Sequence, residues 1–69
     1  MPDHYFIHVL YFDKSGVEQS GYFNKKDNVF LCTPELPRCL FQREELSVSL
    51  ERIFELHGSS VRAITVQRY

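Results

Sequence analysis

Cysteine is scarce in this chain of 69 residues, and its two cysteines exclude a fold built on several disulfides. Cys32 and Cys39 could close only one short loop, and in a reducing compartment we expect both to remain thiols. A zinc site usually combines four ligands at regular spacing, whereas His4, His8 and His57 are scattered along the chain. The sequence therefore predicts no disulfide framework, no metal site and no cofactor.

Net charge and long apolar runs are also lacking. Eight basic residues against nine acidic ones give a formal charge of -1, so no overall field directs the chain to nucleic acid or to acidic lipid. No apolar run approaches the roughly 18 residues that a membrane-spanning helix needs. The first residues carry an acid and a histidine where a secretory signal would carry positive charge. We therefore expect a cytoplasmic protein that does not enter a membrane.

The short length limits how much surface the fold can bury. A single domain of residues 1–69 hides only about 60% of the surface that its unfolded chain exposes. Such domains commonly gain stability from disulfides, a metal or a partner, and the first two are not expected here. Ten aromatic residues, six Phe and four Tyr, offer large apolar areas. We therefore expect a homodimer, a small protein partner, or both.

The N-terminal third of the chain predicts a β-hairpin. Residues 4–12 alternate as a strand that has apolar side chains on both faces, and residues 13–16 (Asp-Lys-Ser-Gly) form a turn. A second, more polar strand covers residues 17–24. A four-residue turn sets a register that pairs three residues of each strand: Phe6 with Phe23, Ile7 with Tyr22, and Phe12 with Val17.

This register predicts which side chains share each face of the sheet. The face expected beneath a helix holds Phe6, Leu10, Phe12, Val17 and Phe23. The other face, expected to stay uncovered, holds Tyr5, Ile7, Val9, Tyr11 and Tyr22. An exposed apolar patch of this kind usually marks contact with another molecule. The five residues of the second face are therefore the predicted partner or dimer interface.

Two prolines and one helical period organise the rest of the chain. A short strand over residues 29–32 ends before Pro34 and Pro37, which cannot donate a backbone hydrogen bond, and residues 39–42 resume the sheet briefly. Apolar residues then recur with a 3.6-residue period that predicts a helix ending at Gly58. The stripe expected to face the core is Leu46, Leu50, Ile53, Phe54 and His57.

The side of this helix opposite the stripe is polar, and three of its residues are predicted to extend the interface: Glu51, Arg52 and Glu55. A last strand over residues 61–68 is expected to turn Ile64 and Val66 to the core, and Ala63 and Thr65 away from it. The predicted class is α+β, a single antiparallel-rich sheet with one helix packed on one face, in the order β-β-β-α-β.

Catalysis is not predicted. His4 and His8 share one strand face, where a ligand pair or a general base can be imagined, but histidines packed beside aromatic neighbours are the simpler interpretation. No Ser or Cys lies in a recognisable nucleophile motif, and His57 suits the negative end of a helix dipole without any chemistry. We therefore assign no catalytic residue and do not expect an enzyme.

Residues 33–42 (Thr-Pro-Glu-Leu-Pro-Arg-Cys-Leu-Phe-Gln) carry a resemblance to a known family. This segment is similar to the HicB family of antitoxins, in which a Pro-Asp/Glu-Leu-Pro-Gly-Cys turn precedes a short strand and a helix that opens Thr-Leu-Glu-Glu-Ala-Leu. The two align without a gap, and Leu46 and Leu50 take the places of the family's two helix leucines.

The resemblance implies a bacterial, partial RNase H-like domain that lacks RNase activity and blocks a small toxin that cleaves mRNA. RNase H chemistry would need clustered carboxylates that hold Mg²⁺, whereas Asp3, Asp13 and Asp27 fall at a terminus or in turns. The expected function is therefore a non-catalytic, toxin-antitoxin type of protein binding.

Two other functions stay open. Tyrosines on a sheet face can stack the bases of single-stranded nucleic acid, although such a surface is expected to interleave Arg or Lys. The chain also fits a small phage or plasmid accessory protein that inhibits a different target. Both alternatives use the same exposed face of the sheet.

Overall fold

The structure is a computed structural model that describes residues 4–69, and its sheet is built around β1 (His4–Phe12). β2 (Glu18–Asn24) pairs antiparallel with the second half of β1, and β3 (Val29–Leu31) pairs antiparallel with β2. A long strand near the C-terminus, β5 (Val61–Arg68), pairs antiparallel with β1 along its other edge. β1 is therefore the central strand of the sheet.

The single helix of the described residues connects two strands that flank β1. β4 (Phe41–Gln42) pairs antiparallel with the start of β1, on the edge that β2 also uses. α1 (Arg43–His57) follows, and a turn of 3-10 helix (Gly58–Ser60) leads into β5. Because β4 and β5 both run antiparallel to β1, they are parallel to each other with β1 between them. The predicted α+β class and single-helix arrangement are confirmed, and β4 is the brief strand expected within residues 39–42.

The hairpin turn between β1 and β2 is organised by Asp13. Its Oδ1 accepts the N–H of Ser15 at 2.8 Å and of Val17 at 3.0 Å. The hydrogen bond from Val17, the larger influence, and the one from Ser15 hold the pKa of the Asp13 carboxyl below its usual value. Gly16 has a φ of 79°, in the left-handed region that glycine adopts without strain. The turn is therefore a three-residue loop that is closed by the backbone pairing of Asp13 with Val17.

That turn makes the predicted register wrong by one residue. Phe12 lies opposite Glu18 rather than Val17, and Tyr22 lies opposite His8 rather than Ile7. The cause is the left-handed Gly16, which completes a three-residue loop closed by the hydrogen bond from Asp13 N–H to Val17 O, at 2.9 Å. A shift of one residue changes which side chains of β2 share a face with those of β1.

The helix covers the opposite face of the sheet from the one predicted. Ile7 and Val9, placed on the uncovered face by the sequence, have no exposed surface and pack with Phe23, Phe41 and Ile53. Tyr5 and Tyr11 share their side of β1 and are half-buried, so for these four residues the prediction of an open face is wrong. Tyr22 alone of the five predicted residues lies on the uncovered face.

The neighbours of β1 explain which face the helix covers. On the helix side, Val9 lies between Gly21 and Ile64, whereas on the other side Leu10 lies between Ser20 and Ala63. Of the other cross-strand neighbours on that side, Glu18, Thr65 and Gln67 are small or polar, and Tyr22 is the one large ring. The helix therefore buries the face whose neighbouring strands add the larger apolar side chains.

The start of α1 is fixed by Glu45. Its Oε1 accepts the N–H of Gln42 at 2.9 Å, which lowers the pKa of the Glu45 carboxyl, and its Oε2 lies 3.0 Å from Nζ of Lys25. At the other end, Nε2 of His57 lies 3.1 Å from the carbonyl oxygen of Asn28. The helix is thus tied at both ends to the turn between β2 and β3.

The predicted helix stripe is confirmed except at Phe54. Leu46 and Leu50 pack against the core and Ile53 is fully buried, but Phe54 is 57% exposed because it lies at the edge of the stripe. Val66 of β5 is a second correction, since it lies on the helix side yet is 41% exposed. The exposure of Val66 shows that one helix does not cover the whole of its own sheet face.

Gly21 allows the backbone of β3 to lie unusually close to β2. A Cβ at this position would lie 2.9 Å from Cβ of Phe30 and 3.0 Å from the carbonyl oxygen of Leu31. We expect Gly21→Ala to lower the free energy of unfolding by about 1–3 kcal/mol, because neither contact is the flexible end of a side chain. Urea unfolding measures this. Ser20→Ala is the control, since Ser20 is exposed, and an equal loss in both variants would contradict the argument.

Candidate interaction surface

The sheet face opposite α1, called the open face below, is the candidate site. Successive side chains of a strand point to opposite faces, so the register assigns this face directly. β1 contributes His4, Phe6, His8, Leu10 and Phe12, and the strands beside it contribute Glu18, Ser20, Tyr22, Ala63, Thr65 and Gln67. β3 adds Leu31, which pairs with Tyr22. No helix or strand of residues 4–69 packs on this face.

Four rings form a continuous row across the open face. The ring centroids of Tyr69 and Phe6 lie 5.3 Å apart, those of Phe6 and Tyr22 5.8 Å apart, and those of Tyr22 and His8 5.1 Å apart. The first two pairs are edge-to-face, a favourable geometry for aromatic rings. This aromatic row therefore runs from the end of β5 across β1 to β2, and each ring contacts the next.

The aromatic row is only partly shielded from water. Phe6, His8 and Tyr22 are half-buried, while Tyr69 is 66% exposed. Tyr69 follows the last residue of β5 and is held there by a hydrogen bond from its N–H to the carbonyl oxygen of His4, at 2.8 Å. The row thus presents apolar ring surface to any molecule that docks on the sheet, together with the phenol groups of Tyr22 and Tyr69.

Charge is nearly absent from the open face. Among the described residues of the face, Glu18 is the one with a formal charge, and its Oε2 forms an ion pair with Nη1 of Arg62. Arg62 lies at the irregular part of β5, where the register against β1 shifts between Leu10 and Tyr11. The surface around the aromatic row is therefore close to neutral.

The structure separates the predicted interface residues into two groups. Tyr22 lies on the open face, whereas Glu51, Arg52 and Glu55 are exposed on α1, which lies on the other side of the sheet. A single flat partner surface cannot contact both groups. The sequence missed Phe6 and Tyr69 as surface residues, because Phe6 was placed beneath the helix and Tyr69 was left beyond the last strand.

A cleft of about 330 Å³ lies at the hairpin end of the helix side, and its lining is Tyr11, Phe12, Asp13, Lys14, Phe30, His57 and Ser60. Two of its polar groups are already engaged. The Asp13 carboxylate accepts hydrogen bonds of its own turn, and Nε2 of His57 lies against the Asn28 carbonyl. The cleft therefore offers mainly apolar surface at the small end of the size range of ligand sites.

The cysteines and the possible metal ligands among the described residues form no cluster. Cys32 is exposed, Cys39 is buried, and both are free thiols. Within residues 4–69, no three His, Cys, Asp or Glu side chains are placed to hold a metal ion together. Asp3, considered above as a possible metal ligand and set aside, lies outside the described residues. The described part of the chain also contains no helix long and apolar enough to span a membrane.

Comparison of the chain with protein-family models, with curated proteins and with solved structures finds no match. The candidate site consequently depends on the geometry of the open face.

Proposed function

We propose that this chain is a non-catalytic protein-binding module that inhibits a partner protein by covering part of its surface. The observation that carries the proposal is the aromatic row on a sheet face that neither a helix nor a strand of residues 4–69 covers. Aromatic residues are enriched in the buried centres of protein interfaces, and charged residues are depleted there. The open face has this composition.

The geometry also suits a binding hot spot. Phe6 is held between Tyr69 and Tyr22, so little side-chain freedom is lost when a partner covers it. Hot spots are enriched in Trp, Tyr and Arg and cluster near the centre of an interface, and Tyr22 and Tyr69 are residues of this type. The flanking residues, Ser20, Thr65 and Gln67, would form a polar rim that can exchange hydrogen bonds with the partner.

The turn before the helix supports an antitoxin-like role. The N–H of Cys39 donates to the Glu35 carbonyl at 2.8 Å and the N–H of Leu40 to the Pro37 carbonyl at 3.1 Å. Cys39 is fully buried, and β4 and α1 follow at once. The segment that resembles HicB antitoxins thus forms a closed turn, a short strand and a helix. This supports a small mRNA-cleaving toxin as partner, with an accessory inhibitor of another target as the alternative.

Co-purification tests the proposal. The tagged chain, expressed in its native host and crosslinked, should recover one small partner in amounts comparable to its own, measured by quantitative mass spectrometry. Tyr22→Ala should reduce that recovery at least tenfold, because loss of a hot-spot residue costs at least about 2 kcal/mol. Recovery of nothing but the chain itself would contradict the proposal.

A matched variant on the helix side makes this test specific. Val48 is 62% exposed on α1, so Val48→Ala changes an exposed apolar side chain without touching the open face. Partner recovery should be unchanged in this variant. Loss of the partner with Val48→Ala but not with Tyr22→Ala would move the interface to the helix and refute the role assigned to the aromatic row.

Binding of single-stranded nucleic acid is the second candidate, and the aromatic row is the feature that favours it. Base stacking on an aromatic side chain contributes about 1–3 kcal/mol per base, but binding also needs a positively charged path for the backbone. Glu18 and its pairing with Arg62 leave the open face without one. Titration with single-stranded oligonucleotides at low salt separates the two functions, since the protein-binding proposal expects no measurable affinity.

A further inference from the structure

The two edges of the sheet differ in how well they are protected. β3 is three residues long and is soon followed by Pro34 and Pro37, so it offers little backbone to another strand. β5 is eight residues long, and no described strand pairs with its outer edge. Its middle, residues 63–67, contains neither a charge nor a proline. Natural sheets usually protect such an edge with one of these devices.

The hydrogen-bonding direction of β5 shows which groups face outward. The N–H of Tyr69 donates to the carbonyl of His4, so this residue points its backbone toward β1. Backbone direction alternates along a strand, and residues 63, 65 and 67 therefore also point toward β1. Ile64 and Val66 direct their N–H and C=O groups to the outer edge.

We propose that β5 pairs antiparallel with β5 of a second copy of this chain, forming a symmetric dimer with a continuous sheet. A second copy is the occupant because the sheet formed by residues 4–69 has one long open edge, on β5, and one short protected edge, on β3. Pairing of β5 with β3 would build an open fibre, and the short β3 with its prolines opposes it. Pairing of β5 with β5 uses the same edge twice and closes after two copies.

The charges at the two ends of β5 select a register. A two-fold axis at Thr65 would place Arg62 opposite Arg68 of the second copy, and like charges directly opposite each other are unfavourable. An axis at Val66 places Ile64 opposite Arg68 and Thr65 opposite Gln67 instead. It also brings the two Val66 side chains together on the helix side, where each is 41% exposed in one copy. The proposed axis therefore passes at Val66.

The dimer goes beyond the binding function proposed above and does not depend on it. In the proposed register, Tyr69 lies opposite Ala63 of the second copy, at the junction of the two open faces. Two aromatic rows would then lie on one continuous surface. A partner would meet a platform twice as wide as the open face of one copy.

Sedimentation velocity over a range of concentrations tests the dimer. The wild-type chain should change from monomer to dimer as concentration rises. Val66→Lys places two positive charges at the axis and Val66→Pro removes an outward N–H, while the bonds from residues 63, 65 and 67 to β1 stay intact. Each variant should raise the dimer dissociation constant at least tenfold. Circular dichroism confirms folding, and the lysine variant keeps the test valid if the proline variant does not fold.

Two controls distinguish this interface from others. Val48→Lys adds the same charge on α1 and should leave the dissociation constant unchanged, as should Tyr22→Ala on the open face. A chain that is monomeric at every concentration would overturn the proposal. A dimer that Val66→Lys leaves intact would also overturn it. Neither result bears on whether the open face binds a different protein.

Discussion

Val9→Asp is expected to unfold the chain, whereas Leu10→Asp is expected to leave it folded. Val9 has no exposed surface and lies in the cluster formed with Ile7, Phe23, Phe41 and Ile53. A carboxylate there loses its hydration without gaining a charged partner, which costs several kcal/mol. A chain of this length is stable by roughly 3–10 kcal/mol, from about 0.05–0.15 kcal/mol per residue. One such substitution is therefore comparable to the whole stability.

The neighbouring residue is the matched control. Leu10 lies on the open face between Ser20 and Ala63, so a carboxylate at this position keeps access to water. Far-UV circular dichroism and thermal unfolding of the two variants measure the difference. The opposite outcome, a folded Val9→Asp and an unfolded Leu10→Asp, would show that the helix covers the other side of β1.

Phe41→Ala is expected to lower the free energy of unfolding by about 3–5 kcal/mol. Phe41 is fully buried, its ring lies parallel to that of Phe23 at 6.2 Å, and Nζ of Lys25 lies 5.4 Å from the ring centroid. Phe41 also lies in β4, the short strand between the proline turn and α1, so a cavity here weakens the packing of both the turn and the helix. Little collapse is available to fill it, because the other buried residues of the cluster belong to two different strands and the helix.

Phe12→Ala provides the comparison for Phe41→Ala. Phe12 has the same side chain at the end of β1 and is 41% exposed, so its removal should cost about 1 kcal/mol or less. Urea unfolding of both variants yields the two values. Equal losses, or a larger loss for Phe12→Ala, would contradict the position of the core.

The positions of the helix and strands could be predicted from local pattern alone. Alternation over residues 4–12 and residues 61–68 matches β1 and β5, and the helical period ends at Gly58 as expected. Each of these patterns acts within one element, where hydrophobic periodicity and turn residues are informative. The strand predicted over residues 29–32, before the two prolines, is also present as β3, which ends one residue earlier, at Leu31.

The choice of sheet face could not be predicted in the same way. β1 is apolar on both sides, so its own sequence does not decide which side a helix covers. That choice depends on the residues of β2 and β5 that lie beside it, and therefore on the register of the hairpin. One residue in the turn, Gly16, set the register and reversed the assignment of Ile7 and Val9.

The sequence consequently predicted that one apolar sheet face stays uncovered, but not which residues form it. An uncovered face with large apolar side chains was expected, and the structure contains one, but β1 contributes Phe6 and Leu10 to it rather than Ile7 and Val9. Tyr69 could not be assigned because its role depends on one backbone hydrogen bond to His4. Tyr22 lies on the uncovered face as expected, because it points to the opposite side of β2 from the buried Phe23, while its role in an interface stays a prediction.

Nuclear Overhauser contacts of the Ile53 side chain in the folded chain test the central claim most directly. Ile53 is the fully buried residue of α1, and it packs in one cluster with Ile7, Val9 and Phe23. The structure predicts cross-peaks from the Ile53 methyl groups to Ile7, Val9 and Phe23, and none to Phe6 or Leu10. Cross-peaks to Phe6 and Leu10 instead would place α1 over the aromatic row and leave no open face for a partner.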